Sequence, residues 1–61
     1  MKITIEGRQG EGKTKLAEAI ADLLVARGWR VHLHEEMQEH DAIQVRGTIG
    51  NPTAFIYMRN A

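Results

Sequence analysis

Apolar and polar positions alternate at the start of the chain, Ile3 and Ile5 against Lys2, Thr4 and Glu6, which predicts a half-buried strand over residues 2–6. Gly7 to Gly12 interrupts this pattern with three glycines. From Lys13 to Arg27 the period lengthens to that of a helix. Leu16, Ile20, Leu23 and Leu24 share one face with Ala17 and Ala19 beside it, while Lys15, Glu18 and Asp22 lie elsewhere on the wheel. Arg27 falls in the last turn. Gly28 follows at the left-handed cap position, with Trp29 placed to fold back on Leu24. Alternation resumes over 30–34, where Val31 and Leu33 oppose Arg30, His32 and His34, and again over 42–46, where Ile43 and Val45 share a side. Between these strands, residues 35–41 read as a loop or one short helical turn. Gly47 to Thr53 holds two glycines, an asparagine and the single proline, so it reads as a turn. Residues 54–58, Ala-Phe-Ile-Tyr-Met, form a near-continuous apolar run, the mark of a strand covered on both faces.

Three strands with one apolar face each, and one helix to cover them, predict a two-layer α/β fold: a small, mostly parallel sheet in the order β-α-β-β-β, with one long helix after a glycine loop. The uncovered sheet face should carry Lys2, Thr4, Glu6, Arg30, His32, His34, Gln44 and Arg46. The last strand, apolar on both sides, should be central or should meet another chain. The first two strands should be parallel, joined by a right-handed crossover, and the last two should pair as a hairpin through 47–53.

Length narrows the picture. A chain of 61 residues is one domain, residues 1–61, and so short a chain buries only about 60% of its unfolded surface. There is no cysteine to cross-link it, so a bound ligand or a second copy would add stability by mass action. Hydrophobic content of 43% is too high for disorder. Eight basic residues balance eight acidic ones, which removes the electrostatic case for nucleic acid. The start of the chain lacks the apolar segment of a signal peptide, and no stretch approaches the roughly 18 apolar residues of a membrane span. Asn51-Pro52-Thr53 has proline where a glycosylation acceptor forbids it. A cytoplasmic protein without membrane contact is expected.

The chemistry is concentrated in the glycine loop. Gly7-Arg8-Gln9-Gly10-Glu11-Gly12-Lys13-Thr14 satisfies Gly-x-x-x-x-Gly-Lys-Thr, follows a strand and opens a helix. Glycines let the backbone approach a ligand closely. The amides from Arg8 to Thr14 can converge on phosphate oxygens as a nest, and the helix N-terminus adds about half a positive charge. Lys13 supplies a point charge to the β- and γ-phosphates, and the Thr14 hydroxyl can coordinate Mg²⁺. Glu11 is an awkward neighbour for a polyphosphate. Since the position needs only its backbone, the side chain is expected to point to solvent.

On this motif, a Walker A sequence, the chain resembles the P-loop NTPase superfamily. The resemblance runs from Ile3 to about Glu35 and implies a minimal or truncated member. It implies binding of ATP or GTP with Mg²⁺, with Gly7, Arg8, Gln9, Gly10, Glu11, Gly12, Lys13 and Thr14 as the binding residues and Thr14 as the metal ligand. The family also places an acid at the end of a second apolar strand. Here Arg59 and Asn60 follow Ala54–Met58, while the strand before Glu35 and Glu36 alternates with histidines and matches poorly. No acid, arginine finger or water-orienting residue is assigned, so efficient hydrolysis by the chain alone is not expected.

Other features are weaker. His32 and His34 share a strand face and, with His40, Glu35 or Glu36, would suit a divalent metal; a histidine-rich solvated face is the plainer account, since the spacing matches no zinc pattern. Glu35, Glu36, Glu39 and Asp41 follow a strand and, if that strand is parallel to the first, would lie at the loop end of the sheet, where they could hold Mg²⁺ through water, although acidic runs are usually just solvated. Phe55, Tyr57 and Trp29 are candidates for ring stacking, with core packing the more ordinary role for Trp29. The alternative function is a small interaction or regulatory protein on a P-loop-like scaffold. It would act without nucleotide through its open sheet face, as a homodimer or on a protein partner.

Overall fold

The computed structural model describes residues 1–37 and 39–61. It is a small α/β fold with one helix and a four-stranded mixed sheet. In chain order the elements are β1 (Lys2–Gly7), α1 (Lys13–Ala26), β2 (Arg30–Glu36), β3 (Asp41–Arg46) and β4 (Thr53–Asn60). The turn expected across 35–41 is shorter than its sequence implies, because Glu35 and Glu36 extend β2 and Asp41 opens β3; Gln38 lies outside the described residues.

The sheet order is β1-β4-β2-β3. The apolar run of β4 takes a central place, parallel to β1 on one side and to β2 on the other. β1 and β2 therefore point the same way but do not touch. The expected hairpin between the last two strands does not form. β3 instead pairs antiparallel with β2, and the segment after Arg46 carries the chain past β2 to the inner position. Solvation decides this: Ala54, Ile56 and Met58 are fully or almost fully buried, which an edge position would not provide.

α1 ends as its sequence predicts. Gly28 takes φ +89°, its N–H donates to the Val25 carbonyl, and the Trp29 N–H donates to the Leu24 carbonyl. These are the two bonds of a Schellman cap, and Trp29 and Leu24 both pack against the core. The face of α1 turned to the sheet is rotated from the expected one: Ile20 and Leu24 of the expected face do pack against the core, but Leu16 and Leu23 do not. Ala17 and Ala21 are fully buried, while Leu16 and Leu23 are each 54% exposed. Alanines let the helix axis approach the sheet closely, and Leu16 and Leu23, about 120–140° round the helix from that line, lie on the side away from Glu18 and Asp22 and toward solvent. The core comprises Ala17, Ala21, Val31, Leu33, Ile56 and Met58, with Ile3, Ile5, Ile20, Leu24, Val25 and Trp29 packed around it.

One strand is turned over relative to expectation. The β2–β3 register sets Arg46 beside Val31 and Gln44 beside Leu33, so Gln44 and Arg46 lie on the helix face and Ile43 and Val45 on the open one. The Arg46 guanidinium reaches the Asp22 carboxylate at 2.9 Å and that of Glu18 at 3.9 Å. A single helix does not cover the edge strand, and a long arginine spans the gap where a short aliphatic side chain would leave a void. Among the described residues no helix is long and apolar enough to cross a membrane.

Candidate functional site

Because β1, β2 and β4 are parallel, their C-terminal ends gather at one edge of the sheet, and the Gly7–Thr14 segment sits there. Gln9, Gly10, Gly12, Lys13 and Thr14 line an open cleft of about 1100 Å³ together with Glu35, Glu36 and Asn60. Ligands of open α/β sheets bind in this position, outside the carboxyl ends of the strands.

The loop is held by its own residues. Gly10 and Gly12 have φ +89° and +87°, values that an L side chain rarely adopts. Gly12 is the N-cap of α1, with no side-chain cap hydrogen bond and no acid in the first turn among the described residues. The first amides of the helix thus point into the cleft without a protein anion to satisfy them. Gly7 has a different role. A Cβ there would lie 3.2 Å from the Glu11 carboxylate oxygen, which would have to give by a few tenths of an ångström, and in ordinary contact, 3.6 Å, with Cγ and Cδ of Lys13. The Lys13 ammonium, on a half-buried side chain, donates to the carbonyls of Gly7 and Arg8 at 3.0 and 2.9 Å. It is folded back over the start of the loop.

Glu11 departs from expectation. Its carboxylate turns back instead of facing away, and accepts a hydrogen bond from the Arg8 N–H. The Glu11 N–H in turn donates to the Arg8 carbonyl at 3.2 Å. One amide assigned to the anion nest is therefore already occupied by an anion of the chain's own.

The sheet order also brings one acid of the 35–41 cluster to the loop. The Thr14 hydroxyl donates to Oε1 of Glu35 at 3.2 Å, joining the first turn of α1 to the end of β2. Glu35 is on the helix face of β2, in line with Val31 and Leu33; its neighbour Glu36 is on the other face and accepts a hydrogen bond from the Asn60 N–H at 2.8 Å. The sequence signal was present in the spacing. Glu35 is two residues beyond Leu33 and four beyond Val31, so it continues the apolar face of the strand to its tip. The histidines on the opposite face obscured it. A hydroxyl and a carboxylate side by side are hard oxygen donors of the kind Mg²⁺ accepts.

The remaining candidates scatter. Arg30 and Arg46 lie at the far end of the sheet, where β2 begins and β3 ends. The Arg59 guanidinium stands 5.9 Å from the centre of the Tyr57 ring on the open face. His32 and His34 share that face with ring centres 6.4 Å apart, but Glu35 points away from them. Among the described residues no three His, Cys, Asp or Glu side chains gather as a metal cluster. The histidines pack instead against aromatic rings, His32 on Phe55 at 5.0 Å and His34 on Tyr57 at 4.8 Å. Glu39 is exposed, and Asp41 stands opposite Glu36 in the β2–β3 register. Comparison with protein-family models, with curated proteins and with solved structures gives no match for this chain.

Proposed function

We propose that the chain binds a nucleoside triphosphate, ATP or GTP, as its Mg²⁺ complex in the cleft at the C-terminal edge of the sheet. The reading rests on the resemblance of Gly7–Thr14 to the P-loop motif, and one observation carries it furthest: the Thr14 hydroxyl and the Glu35 carboxylate meet directly beside the loop. Two distant parts of the chain thereby contribute the donor pair that a phosphate-bound Mg²⁺ would use. Lys13 is the phosphate residue. To reach a ligand its ammonium exchanges the Gly7 and Arg8 carbonyls for phosphate oxygens, which is a short movement of a flexible stem. Amides of Gly10 to Thr14 and the dipole of α1 complete the cradle. When bound, Mg²⁺ would neutralise phosphate charge. Arg30 and Arg46 lie at the far end of the sheet and Arg59 against Tyr57, so none of these three covers the cleft, and slow hydrolysis by the isolated chain is the expectation. A cytoplasmic setting suits a cysteine-free nucleotide-binding chain.

The test is amide NMR during titration with ATP, GTP and inorganic phosphate, each with and without Mg²⁺. Saturable shifts centred on Gly10, Gly12, Lys13 and Thr14 are expected. Lys13→Ala should weaken binding by at least about tenfold, the loss of one charged contact, and Glu35→Gln should remove most of the Mg²⁺ dependence. An absence of shifts in those amides at millimolar ligand overturns the reading. A second reading, a scaffold that acts on a protein partner through the open face, is favoured by Ile43 and Val45, which stand 60% and 44% exposed beside the His–aromatic ladder. It predicts shifts on β2–β4 with a partner and none with nucleotide.

A further inference from the structure

We infer that the free edge of β1 is a self-association surface, on which a second copy of this chain adds its own β1 antiparallel to form one continuous sheet across a two-fold axis. This inference does not rest on nucleotide binding.

β1 is an outer strand, paired on one side only, with β4. The Phe55 N–H donates to the Met1 carbonyl and the Ala61 N–H to the Gly7 carbonyl, so the odd-numbered residues of β1 direct their backbone groups to β4. Backbone direction alternates along a strand, and Lys2, Thr4 and Glu6 therefore turn their N–H and C=O groups outward at the open edge. Such an edge is a template for another strand. Two copies related by a two-fold axis must pair these outward residues with one another. Centring the pair on Thr4 sets Thr4 opposite Thr4, Lys2 opposite Glu6 and Glu6 opposite Lys2, and the three pairs exchange about six N–H···O bonds. A slip of two residues either way shortens the ladder and removes the Lys–Glu pairs, so the charge pattern selects this register. Among the described residues neither Lys2 nor Glu6 joins an ion pair within the chain, where both bridges use Arg46.

The other face agrees. In the same register Ile3 stands opposite Ile5 of the second copy, both half-buried within the single chain. Above them is the flank of α1 that carries Leu16 and Leu23. Glu18 and Asp22 occupy the opposite flank, since they bridge to Arg46 on the far edge strand, so the leucines face the β1 side. Pairing at β1 brings both helices to one face of the joined sheet, with this apolar flank toward the seam. The two glycine loops then lie at opposite ends and stay open.

Sedimentation equilibrium over a wide concentration range, without nucleotide, tests the inference. The wild type should approach twice its 6.9 kDa mass. Lys2→Glu and Glu6→Lys should each raise the dissociation constant about tenfold by placing like charges opposite. An equimolar mixture of the two variants should associate again, because every carboxylate on β1 of the first variant then faces an ammonium on β1 of the second. Thr4→Pro removes an outward N–H that the single chain does not use, as proline is tolerated at such edge positions; it should abolish the dimer while circular dichroism stays native. A wild type that remains monomeric at millimolar concentration overturns the inference, as does a dimer unaffected by both charge reversals and their mixture.

Discussion

Glu11 and Lys13 hold the glycine loop in a self-satisfied state, one carboxylate on the Arg8 amide and one ammonium on two loop carbonyls. A phosphate ligand must displace the first and recruit the second. Removing the charge of Glu11 should therefore favour the ligand twice, by freeing an amide and by lifting a repulsion. Glu11→Gln is expected to bind phosphate or nucleotide several-fold more tightly in calorimetric titration, and an unchanged or weaker affinity would show that the carboxylate does not compete with the ligand. At the same scale, two glycines with nearly equal backbone angles should respond differently to alanine. At Gly28 (φ +89°) an added Cβ meets nothing within 4 Å, whereas at Gly47 (φ +96°) it would lie 2.7 Å from the Trp29 carbonyl oxygen and 2.9 Å from the Arg30 Cα. Gly28→Ala should cost about 1 kcal/mol, the left-handed penalty alone. Gly47→Ala should cost more than about 2 kcal/mol, because backbone has to move; urea unfolding of both variants compares them.

Among the elements, β3 is the one whose sides exchange roles. Its alternation is plain in the sequence, yet alternation only says that two faces differ, not which one meets the helix. Pairing with β2 and the reach of Arg46 to Asp22 decide that. Ile43→Thr should accordingly change stability by no more than about 0.5 kcal/mol, as at an exposed site, while Leu33→Ala, on the helix face of β2, should cost about 2 kcal/mol or more. Comparable losses in the two variants would mean that β3 presents its other side to the core. For α1 the pattern marked the helix and its Gly28 end correctly but favoured the leucines as its buried line. Size is a poor guide where a helix lies close on a sheet, because the contact line then needs small residues such as Ala17 and Ala21.

The whole molecule stands on a narrow margin. A core of this size supplies about 3–5 kcal/mol, and removing a fully buried branched side chain costs about 2–5 kcal/mol. Ile56, fully buried on the central strand, is such a residue. Ile56→Ala should leave the chain largely unfolded at room temperature by circular dichroism, and saturating Mg²⁺–nucleotide should partly restore it by mass action. Restoration that is absent from the Lys13→Ala, Ile56→Ala double variant would tie the rescue to the loop.

By itself the sequence determined what depends on neighbours along the chain. The strand and helix periods follow from alternation and the 3.6-residue repeat. The Schellman end at Gly28 follows from one residue able to take a positive φ, and the loop from glycines between a strand and a helix. The central place of β4 was legible too, from an apolar run without alternation, but only one of its faces is covered: Ala54, Ile56 and Met58 are buried under the helix while Phe55 and Tyr57 stay half-buried on the open face. Tertiary structure decided what depends on pairing between distant segments. It set β4 between β1 and β2, gave β3 to β2 in place of β4, and turned Arg46 toward the helix. It also brought Glu35 to Thr14, 21 residues away in the chain. Local pattern does not encode strand order, which is chosen by burial of the whole sheet, and only that order singles out Glu35 among the acids after β2 begins as the one that meets Thr14.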